Sequence, residues 1–182
     1  MSIIRPTLST LAFALTLAMT AAAEPASLAR GESDAAAVIA KFKEKDPGLA
    51  NVFAKSAGYV VFPTVAKGGL GIGGARGKGY VYQHGRLIGR STLTQLSIGL
   101  QAGGQAYSEV IFFKDHGALE NFEGGHLKLD AKASAVALTA RAAADLAYRD
   151  GVAIVTMAEG GLMYEASVGG QKLSFHPTAK RA

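Results

Sequence analysis

Lys67-Gly68-Gly69-Leu70-Gly71-Ile72-Gly73-Gly74-Ala75-Arg76-Gly77-Lys78-Gly79 is the stretch that decides the fold class. In an extended chain Gly69, Gly71 and Gly73 fall on one face, and Leu70 and Ile72 fall on the other. Such a strand has a bare face that another backbone, side chain or ligand can approach closely. Before it, Tyr59-Val60-Val61-Phe62 reads as a short buried strand ended by Pro63. After it, Gly79-Tyr80-Val81-Tyr82 is the next strand, and His84-Gly85 is its turn into Arg86-Leu87-Ile88-Gly89. Two more strands, 97–102 and 107–113, flank Gly103-Gly104.

The flanks have different periods. Ala35, Val38, Ile39 and Phe42 recur at helical spacing over 32–45, with Lys41, Lys43 and Lys45 mostly elsewhere on the wheel. Asp46-Pro47 opens a second short helix near 47–56, with Leu49, Val52 and Phe53 on one side. Asp115 caps a third helix that turns Leu119 and Phe122 inward and stops at Gly124-Gly125. Residues 131–147 fit either helix or strand, and strand through about 141 is the preferred reading. Runs at 152–157, 162–168 and 172–175, separated by Gly160-Gly161 and Gly169-Gly170, read as an antiparallel meander. The expected architecture is α+β. N-terminal helices precede a strongly curled, mostly antiparallel sheet, rolled towards a partly closed barrel, with one or two short helices.

The chain has 182 residues, 23 of them glycine, with no cysteine and no tryptophan. One domain is expected, with neither a disulfide framework nor a thiolate metal site. Arg5, the apolar run 11–19 and the small residues Ala21 and Ala23 have the form of a signal peptide. Cleavage is expected after Ala23, leaving a short segment 24–31, a domain over 32–177 and a tail 178–182. The mature protein is then exported, to the periplasm or the envelope. Charge is uneven: residues 41–90 hold nine basic and two acidic side chains, while 91–182 hold eight and nine. A basic segment on an otherwise balanced protein suggests an anionic partner, although it also fits ordinary solubilising charge.

Most chemical motifs fail on context. Gly69-x-Gly71-x-x-Gly74 is followed by more strand, whereas a dinucleotide fingerprint needs a helix N-terminus there. His84, His116, His126 and His176 are scattered, without the spacing of a helical metal site. No serine sits in a nucleophile elbow. Glu109, beside an aromatic and aliphatic run, reads as a buried, shifted carboxylate or as a partnered or outward-facing one. No catalytic residue, metal or cofactor is assigned. The basic stretch is the better lead: Lys41, Lys43, Lys45, Lys55, Lys67, Arg76 and Lys78 would meet lipid head groups. Phe42 and the glycine face of Gly69, Gly71 and Gly73 would then lie nearer the acyl or glycerol region. The competing reading packs Val38, Ile39 and Phe42 on the sheet and leaves the lysines as a solvated back.

The run 58–75, with Thr94-Gln95, 99–109, Ile111-Phe112-Phe113 and 160–166, resembles the SYLF-domain family over roughly 32–177. That family comprises lipid-binding domains. Eukaryotic members accompany SH3 or FYVE modules, bind phosphoinositides and in some cases contact actin; bacterial ones are exported envelope proteins. The resemblance implies a non-enzymatic phospholipid-binding role. Many relatives carry tryptophan and proline after the turn at Gly85, where this chain has Leu87-Ile88-Gly89-Arg90. No SH3 or FYVE module is present, so actin and endocytic roles are not carried over. The expected partner is anionic phospholipid or a membrane surface, not nucleic acid. The alternative is an envelope structural or protein-interaction module that uses its sheet edge or glycine face.

Overall fold

A computed structural model describes residues 11–127, 129, 135–158 and 170–178, with side chains from residue 26 onward except 70–72 and 97–103. Helices α1 (Leu11–Lys45) and α2 (Leu49–Lys55) lead into two very long strands, β1 (Gly58–Gln83) and β2 (Arg86–Phe113). Helix α3 (His116–Glu123), the two-residue strand β3 (Val136–Ala137), α4 (Ala142–Asp145), β4 (Val152–Ala158) and β5 (Gln171–Pro177) complete the chain. The fold is α+β with a mostly antiparallel sheet, as expected.

The predicted strand 59–62, the glycine-rich stretch 67–79 and the predicted strand 79–82 are one strand, and so are 86–89, 97–102 and 107–113. Pro63 does not end β1. It falls at a register shift between Phe62 and Val65, on an edge strand where a missing N–H is tolerated. Its carbonyl accepts from the Ser108 hydroxyl at 2.7 Å. The turn into β2 is where it was expected: His84 (φ 49°) and Gly85 (φ 74°) are both left-handed, as a tight two-residue hairpin requires. Of the C-terminal runs, β4 and β5 each pair antiparallel with β2, β4 along Tyr107–Phe113 and β5 along Gly89–Gln95. The predicted run 162–168 lies outside the described residues. The ambiguous stretch resolves into a short strand parallel to β4 followed by the single helical turn α4.

The long hairpin is rolled. In a straight strand Phe62 and Gly79 would stand roughly 55 Å apart, yet a Cβ at Gly79 would lie 2.6 Å from the Phe62 ring. At the ends of β1, a Cβ at Gly58 would lie 2.9 Å from the Tyr82 carbonyl oxygen. Among the described residues no ladder joins those ends, so the sheet is not a closed barrel. The inner face of the roll holds Val60, Phe62, Val65, Val81, Leu93, Ile111 and Phe113, closed over by Leu119 and Phe122 of α3. Asp115 caps α3 as expected, accepting from the Ala118 amide at 3.0 Å.

The outer face is also buried near the seam. Tyr59, Val61, Tyr80, Tyr82 and Phe112 pack under Ala35, Val38 and Phe42 of α1 and Leu49 and Phe53 of α2. Asp46, itself buried, fastens the corner between the helices: one carboxylate oxygen accepts from the Gly48 amide at 2.8 Å, the other from the Ala143 amide of α4 at 2.6 Å. The expected start of the second helix is corrected: its N-cap is Gly48, without a side-chain cap, and Asp46 holds the turn before it. Among the described residues no helix is long and apolar enough to cross a membrane.

Candidate functional site

Period-two alternation and ladder register together place side chains that are far apart in sequence on one outer surface. Across β1, β2 and β5 the register aligns Arg76 with Thr94 and Lys172, Lys78 with Thr92 and Ser174, and Tyr80 with Arg90 and His176. This block of nine holds four permanent cations, a histidine, three hydroxyls and a phenol, and no carboxylate. Arg76, Lys78, Arg90, Lys172 and His176 are exposed. The alternate residues Gly77, Gly79, Ser91, Leu93 and Gln171 are buried on the inner face.

Helix α1 borders the block. Gly31 sits so close to the Tyr80 hydroxyl that a methyl group there would overlap it, and this bare position lets the helix lie against the sheet. Burial raises the Tyr80 pKa; Asp34 raises it further and Arg90 opposes. Two hollows open along this border. One, of about 200 Å³, is lined by Ser27, Leu28, Lys78, Tyr80, Arg90 and His176, among others. The other, of about 460 Å³, is lined by Gly31, Asp34, Thr64, Arg76 and Lys78, among others.

The basic residues singled out from the sequence divide into groups. Arg76 and Lys78 belong to the block. Lys41 and Lys45 instead flank a groove of about 470 Å³ with Glu44, Leu138, Ala140 and Met157, beside β3 and β4. The Lys43 ammonium lies 5.0 Å from the centre of the Phe53 ring, and Lys55 is exposed at the end of α2. Lys67 is partly buried, opposite Gln105 in the ladder. Phe42 is corrected: it is 0% exposed in the core under α1, so it presents nothing to a membrane. Its neighbours Val38 and Ile39 pack there too, which is the reading in which the lysines form a solvated back. Gly69 and Gly73 are partly exposed, and Gly71 falls within a register shift between Leu70 and Ile72. Further along the same strand, Gly77 and Gly79 are close-approach positions.

Arg90, Lys172 and His176 were missed in the sequence. Each sits in a strand of ordinary polar alternation, and only the pairing of β5 with β2 brings them beside Lys78. The surviving signal was the alternation itself, with Lys172, Ser174 and His176 two residues apart.

Inside the roll lies a second polar group. Glu109 is fully buried; one of its oxygens accepts from the Gln171 amide at 3.1 Å and the other has no hydrogen-bond partner. Burial raises its pKa to about 7, against the lowering effect of Gln171. Tyr107, also buried, is pushed up by burial and then by Glu109. This is the buried, shifted carboxylate among the two readings of Glu109. In the ladder Glu109 stands opposite Thr156, also buried, and among the described residues no three His, Cys, Asp or Glu side chains gather as a metal site would require.

No curated protein matches the chain. The model of the family described as Ysc84, Las17-binding protein actin regulator, matches residues 94–182. That match begins in β2 with Thr94 and takes in β5, and so Lys172 and His176 of the cationic block, and it agrees with a role in binding lipid or protein. Over these residues the match is consistent with the SYLF-domain family, which the separated motifs of the chain resemble.

Proposed function

We propose that this protein binds anionic phospholipid at the bacterial envelope without transforming it, after export and removal of residues 1–23. The observation that carries the reading is the acid-free block of Arg76, Lys78, Arg90, Lys172 and His176, held on three hydrogen-bonded strands. A sheet fixes the spacing of these charges before any ligand arrives, so little ordering entropy is lost on binding. Each basic residue close to an anionic surface contributes about 1 kcal/mol, so four together give reversible association. Interspersed hydroxyls add hydrogen bonds to phosphate oxygens. Leu96, 75% exposed and next in the same outer row after Thr94, offers an apolar contact at the border of the block.

Co-sedimentation with vesicles of phosphatidylcholine alone, or with added phosphatidylglycerol, tests the reading. Pelleting is expected only with the anionic vesicles and should weaken as salt rises. Reversing Arg76, Lys78 and Lys172 to glutamate should weaken it at least tenfold, while Lys41→Glu with Lys45→Glu should change it less than threefold. Equal pelleting on neutral vesicles, or indifference to the triple reversal, refutes the electrostatic reading. A protein-binding role is the second reading, favoured by the family's description as Las17-binding. Capture of a stoichiometric partner by protein that pellets with no vesicle would establish it.

A further inference from the structure

The smaller hollow has features that a merely charged surface lacks. At about 200 Å³ it is below the size of a pocket for a whole small ligand, roughly 300–1,000 Å³, and it suits a single head-group fragment. Its walls bring together an ammonium (Lys78), a guanidinium (Arg90) and an imidazole (His176) from three different strands, with the Thr92 hydroxyl between them. The α1 side, through Ser27 and Leu28, closes one flank.

The imidazole is also oriented. The Ser174 hydroxyl oxygen accepts from the Thr92 amide at 3.2 Å and stands 3.2 Å from His176 Nε2. This contact holds the ring beside Lys78 and Arg90. In the tautomer in which the hydroxyl donates to Nε2, Nδ1 carries the ring N–H, a donor for a ligand. Ser174 is thus a positioning residue for a donor that belongs to the hollow.

We propose that this hollow is a discrete site for a terminal phosphate group, a phosphomonoester, with Lys78, Arg90 and His176 supplying its donors. A monoester presents three terminal oxygens and nearly two negative charges near neutral pH, which matches two fixed cations and a third N–H. A phosphodiester carries one charge and a substituent on each side, and a hollow with one flank closed by a helix suits it less. The proposal rests on the reading of the block as a lipid-binding surface and adds to it a preference among anionic lipids. The same phosphate chemistry also occurs on soluble phosphate esters.

The test compares phosphatidic acid vesicles with phosphatidylglycerol vesicles adjusted to equal zeta potential, and adds calorimetric titration with glycerol 3-phosphate. The intact protein is expected to prefer phosphatidic acid at least fivefold, with glycerol 3-phosphate competing. His176→Ala should abolish the preference, with binding to phosphatidic acid falling to the level of its own binding to phosphatidylglycerol. Lys172→Gln, outside the hollow, should weaken both equally. Ser174→Ala should reduce the preference and move the His176 ring ¹⁵N shifts away from the Nδ1–H tautomer, an effect that mere loss of fold would not produce. Equal binding to the two vesicles, unchanged by His176→Ala, overturns the phosphomonoester site while leaving the lipid reading intact. If no vesicle is bound, the lipid reading fails and the titration decides. Heat lost in His176→Ala upholds the site with a soluble ester as its source, and no heat in the intact protein overturns it.

Discussion

Glu109 is buried on the inner face with one hydrogen bond to Gln171 and one unsatisfied oxygen, and its pKa is raised to about 7. The folded state therefore holds a proton that the unfolded chain, near the ordinary carboxylate value of 4.5, has released. Between those two values the native state binds more protons, so stability falls as pH rises. The contribution of Glu109 is fully favourable below about 4.5 and is lost by the time pH passes 7. The span corresponds to a loss on the order of 3 kcal/mol. Urea unfolding at steps from pH 5 to pH 8 should show this decline, and Glu109→Gln should flatten it and be the more stable form at pH 8. A variant with the same slope as the parent would exclude Glu109 as the source.

Among the elements, the rolled hairpin is the feature on which the rest is built, and it makes Gly79 a critical position. A methyl group there would stand 2.6 Å from the ring of Phe62, which is wholly buried and has no free side to which it can turn. Gly79→Ala should therefore destabilise the protein by about 1–3 kcal/mol, as overpacking does, whereas truncating Phe62 in the same background should relieve part of the clash. Chemical denaturation of the single and double variants measures that coupling. The sequence made the strand character of this region legible, through alternation and through His84-Gly85, and it gave Asp115, Leu119 and Phe122 their places. It hid the length of the strands, because Pro63 and Gly103-Gly104 look like breaks while a bulge and a paired glycine ladder carry β1 and β2 through them. It also hid the crossing of β5 to β2. That pairing depends on long-range register, which local periodicity does not encode. Lys172 and His176 of the cationic block were lost to view with it, and Phe42 was misplaced because a lysine-flanked aromatic reads alike on a core helix and on an interfacial one.

At the scale of the molecule, the two faces of one sheet are put to different uses. The inner face is apolar and sealed by α3. The outer face is covered by helices towards the seam and left open where Arg76, Lys78, Arg90, Lys172 and His176 align. The groove by Lys41 and Lys45 borders the same helix near its C-terminal end, so α1 has one cationic margin there and another along residues 27–34.

The central position of β2 has a kinetic consequence. β1, β4 and β5 all hydrogen-bond to it, joining Gly58 to Phe113 and Gly89 to Pro177. No such contact is rewarded until a long loop has been closed, and chains dominated by distant pairings fold in milliseconds to seconds, well behind helical proteins of similar size. Stopped-flow refolding of the chain from residue 24 should therefore be slow, on the order of a tenth of a second or longer; a microsecond phase carrying the full amplitude would contradict it. A polypeptide this late to acquire its shape stays threadable for some time after synthesis, which is the condition that passage through a narrow protein-conducting pore demands.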